Sequence, residues 1–122
     1  MAETGKRGQR IMDAPLLTYE IPELIARIKS EDTWKSTDRN SITLNMGPGL
    51  RMVVIALHEG TTIEPHKADH PISVQVLEGE LEFITDAGTA ALKAGQILTL
   101  HKSISHSVKA RTECAFLLTF GN

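Results

Sequence analysis

At 122 residues, with 41% hydrophobic and 23% charged side chains, the chain has the size and composition of a single globular domain, which excludes disordered, collagen-like and repetitive classes. Its formal net charge of −2 lacks the basic surplus of a nucleic-acid binder, and apolar runs such as Met52 to Leu57 fall far short of a membrane span, so neither nucleic acid nor membrane is an expected partner. A lone cysteine, Cys114, can form no internal disulfide, and the N-terminus has no apolar stretch with a cleavage site, so a soluble, cytoplasmic protein is expected.

The polar segment 1–13 reads as a flexible tail, residues 14–40 as an N-terminal helical arm, and 41–122 as a β-barrel domain. Within the arm, Ile21, Leu24, Ile25 and Ile28 fall at i, i+3, i+4 and i+7, and Pro22 sits where a first helical turn tolerates a missing N–H. A helix is therefore predicted between Ile21 and Trp34. Trp34, the sole tryptophan, is expected to cover apolar surface near its end.

After Asn40 the chain breaks into short runs rich in Val, Ile, Leu, Thr and Phe, divided by Gly, Pro, Asp and Asn. The predicted strands are Ser41–Met46, Leu50–His58, Thr61–Glu64, Ile72–Leu77, Glu80–Thr85, Ala90–Lys93, Gln96–His101, His106–Ala110 and Glu113–Phe120. Strand follows strand without helical spacers, so the fold class is all-β, an antiparallel sandwich or barrel. Met52 to Leu57 and Phe116 to Leu118 are apolar on consecutive residues, which implies burial on both faces through a second sheet or a subunit interface, and hence a homodimer.

All five histidines, His58, His66, His70, His101 and His106, fall between residues 58 and 106, inside the β region. Neutral imidazole is the commonest protein ligand for borderline divalent metals, and a barrel can gather residues distant in sequence onto one interior patch. The plainer alternative for any one of them is a polar residue at a strand end.

The spacing of these residues resembles the cupin superfamily, small jelly-roll barrels whose two motifs supply a metal site. Gly60-Thr-Thr-Ile-Glu-Pro-His66 is similar to the opening of the first motif, and Val76-Leu77-Glu78-Gly79-Glu80 to its closing turn. Ala68 stands where that motif has its second His, and Ile72 where it has its Glu. In the second motif Gly95 and His106 are in register, whereas His101, Ser103 and Ala110 replace the usual Pro, Gly and Asn. The resemblance covers about Leu50 to Phe120 and implies a cupin-type jelly-roll barrel with a short N-terminal helix. It also implies a degenerate metal centre in which only His66 and His106 match ligand positions.

His70, Gln75 and His101 are the candidates to complete that centre, with iron, manganese, nickel, zinc or no metal at all as the cofactor. His70 lies four residues after His66, but Ala68-Asp69-His70-Pro71 favours a turn; Gln75 has the opposite parity to Val74 and Val76; His101 ends the strand that leads to His106. Cys114 sits in an apolar run and reads as a small buried hydrophobe, and Glu78 and Glu80 read as a solvated hairpin. No phosphate-binding loop or nucleophile elbow is present.

Three readings follow. In the first the barrel mouth binds a small polar metabolite. In the second a metal-dependent enzyme, a dioxygenase, isomerase or decarboxylase, uses His66, His106 and a third ligand. The third is a structural or dimerisation module whose interior is filled by Phe83, Leu98 and Leu118.

Overall fold

The computed structural model describes residues 14–45 and 48–121, and the expected tail over 1–13 lies outside them. Helix α1 spans Ile21–Ser30 and is followed by a short helix α2, Asp32–Ser36. The predicted single helix is thus two: the backbone turns extended at Glu31, which caps both. Leu24, Ile25 and Ile28 form the buried stripe of α1 and Trp34 that of α2.

Nine strands follow: β1 Arg39–Asn45, β2 Arg51–Leu57, β3 Thr62–His66, β4 Ile72–Glu78, β5 Glu80–Thr85, β6 Gly88–Lys93, β7 Ile97–Leu100, β8 His106–Ala110 and β9 Cys114–Phe120. All nine predicted strands are present, each within two residues of its expected ends. They form two sheets, ordered β1-β2-β9-β4-β7 and β3-β8-β5-β6, and every pairing is antiparallel. This is the jelly-roll arrangement.

Strand parity sorts the apolar residues into two cores. Leu57, Ile72, Val74, Val76, Leu81, Phe83, Val108 and Phe116 pack between the sheets. The alternate residues of β2 and β9, Val54, Ala56 and Ala115, face the other way and pack under Leu24, Ile25, Ile28 and Trp34. The consecutive apolar runs therefore have two covers within the chain: the second sheet inside and the helical arm outside.

Polar contacts fix the arm in place. Asn40, only 1% exposed, donates through Nδ2 to the Ile28 carbonyl at 2.9 Å, which satisfies an acceptor at the open end of α1. The Tyr19 hydroxyl donates to the Leu44 carbonyl at 2.6 Å. Lys29 is paired with both Glu78 and Glu113, so Glu78 is a docking partner of the arm as well as a hairpin residue. Among the described residues no helix is long and apolar enough to cross a membrane.

Candidate functional site

The site begins with a surplus residue in β3. Ile63 pairs with Val108 and His66 with His106, so three steps along β3 match two along β8. Strict alternation from Ile63 would place Pro65 opposite His106 and turn His66 outward. The irregularity returns His66 to the inner face. Pro65 is tolerated because β3 is an edge strand, where a missing N–H breaks no internal ladder.

His106 needs no such device, since it shares parity with the inward Val108 and Ala110 on β8. The two rings meet edge to face with centroids 4.2 Å apart. His66 is exposed at the rim, while His106 is 4% exposed and lies parallel to the Phe83 ring at 5.1 Å. Two side chains 40 positions apart thus converge inside the barrel.

Each imidazole is oriented by the backbone carbonyl two residues before it. Nδ1 of His66 lies 3.1 Å from the Glu64 carbonyl, and Nδ1 of His106 lies 3.0 Å from the Ile104 carbonyl. A carbonyl can only accept, so Nδ1 carries the proton in both rings and Nε2 is left as the bare nitrogen of the neutral form. Beside the rings lies a cavity of about 150 Å³ between the sheets. Its other walls are apolar, among them Ile72, Val74, Phe83, Phe116 and Leu118. Phe83 and Leu118 therefore bound a space; they do not fill the interior as the structural-module reading required.

Burial pushes the pKa of His106 below its ordinary value and the nearby His66 adds to the effect, against the opposing pull of the Ile104 carbonyl. The unfolded chain then takes up a proton at this position before the folded chain does. Stability from this group is complete above the unfolded imidazole pKa of about 6.5 and is lost as pH falls through that value to the lower folded one. The expected result is a thermal midpoint that declines on acidification through this window and declines less in His106→Gln. A midpoint that rises there contradicts the assignment.

The remaining candidates do not join the pair. His70 is exposed in a bend after β3, and His101 is exposed just beyond β7. Gln75 is exposed on the face of β4 opposite Val74 and Val76, because its odd position points it away from the cavity. Among the described residues no group of three or more His, Cys, Asp or Glu side chains is placed to hold a metal ion. Ala68 packs against the core and Ile72 lines the cavity, so hydrocarbon occupies both positions where the resemblance implied ligands. Two imidazoles fall short of the three or four protein ligands of a resident site, and the donor set does not fit one.

The fifth histidine, His58, is a packing residue. Its ring stacks on Trp34 with centroids 3.5 Å apart, and its Nε2 meets the Trp34 carbonyl at 2.8 Å. Cys114 is fully buried, and burial first, then the Glu78 and Glu113 carboxylates, push its thiol up to about 11, which makes it inert at neutral pH.

The loops around the mouth are tied together by a backbone bond from the Ser103 N–H to the Ala68 carbonyl at 2.7 Å. Ser103 holds a left-handed conformation, φ 65°, at the position where the second cupin motif has glycine. The motif's backbone survives the loss of its residue type. Relief of about 1–2 kcal/mol of left-handed strain, less about 0.4–1 kcal/mol of added freedom in the unfolded chain, makes Ser103→Gly a stabilising change of up to about 1.6 kcal/mol. Chemical denaturation at unchanged m-value measures it.

The fold and the site together define an antiparallel jelly roll with a paired-imidazole cavity. Solved structures share the fold. The chain is similar to a cupin 2 conserved barrel domain protein from Leptotrichia buccalis, at 31% identity over 71% of this chain and 42% of that one, with a TM-score of 0.66. It is similar to an RmlC-like cupin from Shewanella frigidimarina, at 23% identity over 68% and 75% of the two chains, TM-score 0.64. A protein from Neisseria meningitidis matches at 17% identity over 87% of this chain and 100% of that one, TM-score 0.70. The chain has a cupin-type fold. No family model matches its sequence, and no curated protein is a significant match.

Proposed function

We propose that this cupin-type barrel is a small-molecule binding module whose ligand sits between the sheets against His66 and His106. The observation that carries the reading is the cavity of about 150 Å³ that both imidazoles line, set beside the apolar core between the sheets. A space of this size lined by hydrocarbon accepts a compact, largely apolar molecule. The two ring nitrogens orient it. The ligand favoured is thus less polar than the metabolite expected from the family resemblance, because among the described residues only the histidine side chains offer it polar atoms.

A metal-dependent enzyme would need a third donor. His70, His101 and Gln75 point elsewhere, so binding is the better-supported reading. Benzene is a suitable first probe, since an apolar cavity of about this volume is known to hold it. The expected result is a saturable shift of the methyl NMR signals of Ile72, Val74 and Leu118, with Leu24 and Ile28 under the arm unmoved. Titration to millimolar benzene with no saturable shift at those methyls overturns the reading.

A further inference from the structure

We infer that the cavity selects a one-ring molecule that donates a hydrogen bond, a phenol-type hydroxyl, over an anion or a carbonyl compound. This rests on the proposed binding function and deepens it. The argument starts from the protons. Nδ1 of His66 and Nδ1 of His106 are both committed to backbone carbonyls, at 3.1 and 3.0 Å. The neutral rings consequently offer the cavity only lone pairs, at Nε2. Among the described residues no hydrogen bond reaches either Nε2. An acceptor at the cavity wall that lacks a protein partner gains from a ligand that supplies a donor.

The other walls sharpen the choice. Among the described residues no lysine, arginine, serine or threonine lines the cavity, so a carboxylate would find neither a cation nor a hydroxyl among them. An anion could be met only by charging an imidazole, and burial opposes that at His106. A ketone or ester would set its acceptor oxygen against two further acceptors. A hydroxyl completes the pair without charging anything. The body of the ligand is set by the space: about 150 Å³, with Phe83 and Phe116 among the walls, suits a single aromatic ring.

The test uses the full chain at about pH 8, where imidazole is ordinarily neutral, with phenol, anisole, benzoate and benzene as probes. Anisole keeps the ring and the oxygen of phenol but has no O–H. Phenol is expected to bind about tenfold more tightly than anisole, the effect of one neutral hydrogen bond, and benzoate more weakly than either. His106→Leu is expected to remove the preference for phenol over anisole. Should that variant fail to fold, His66→Ala at the exposed rim reads the second acceptor and is expected to reduce the preference. Anisole binding as tightly as phenol, or benzoate binding most tightly, overturns the donor inference while leaving the cavity reading intact. If none of the four probes binds, the cavity reading itself fails.

Discussion

Gly79→Ala is expected to cost about 2–5 kcal/mol, a large share of the roughly 5–15 kcal/mol that holds a domain folded. Gly79 joins β4 to β5 with φ 74°, in the left-handed region. A Cβ placed there would lie 2.2 Å from the Glu113 carbonyl oxygen and 2.8 Å from the Cys114 Cβ. The first obstacle is backbone, at the entrance to β9, and cannot swing aside as a flexible side chain would. Strain and steric overlap therefore add. Urea denaturation of the variant measures the loss. A cost within about 0.5 kcal/mol of zero, as for an ordinary surface change, would show that the β4–β5 turn has room it is not credited with.

Phe83→Ala is expected to cost about 3–5 kcal/mol, the usual range for removing a buried ring. Phe83 is 3% exposed and stacks on His106. It also lines both the inner cavity and an open groove of about 290 Å³ between the β6 and β7 edges, where Thr85, Ala90 and Leu100 form part of the wall. Truncation joins the two spaces, so the variant should lose discrimination by size and admit two-ring ligands that the native barrel rejects. Denaturation gives the stability cost, and competition between benzene and naphthalene gives the selectivity. A destabilised variant that still rejects naphthalene would place the size limit elsewhere.

The β architecture was legible because its signals are local. Turn residues divide runs of β-branched and aromatic side chains, and no helical spacer intervenes, so all nine strands could be placed. The consecutive apolar runs in β2 and β9 correctly signalled two buried faces. What covers the outer face was not legible: the amphipathic stripe at Leu24, Ile25 and Ile28 was visible, but its destination on Val54, Ala56 and Ala115 is a long-range fact. The extended Glu31 that splits the helix carries no proline or glycine to announce it.

The candidate site was half legible. The pairing of His66 with His106 came from motif spacing, whereas simple alternation along β3 would have sent His66 outward past Ile63. The parity of Gln75 between Val74 and Val76 left it open between the barrel mouth and solvent, while the Asp69-His70-Pro71 turn weighed against His70. Phe83 was named only as filler. Its roles against His106 and as a shared wall depend on the register of β5 with β8, which pairs Phe83 with Val108, and no sequence pattern specifies that register. Ser103 shows the converse, a motif position that looks lost in the sequence and persists in the backbone.

The arm on the outer face of the barrel has a practical consequence. Ile55 and Phe116 line the cavity from strands whose alternate residues, Val54 and Ala115, pack in the core that contains Trp34. The chain's only indole is thus separated from the cavity by the thickness of one sheet, and it stacks on an imidazole, a ring able to quench it. Movement of that wall is open to an intrinsic fluorescence readout that needs no added label.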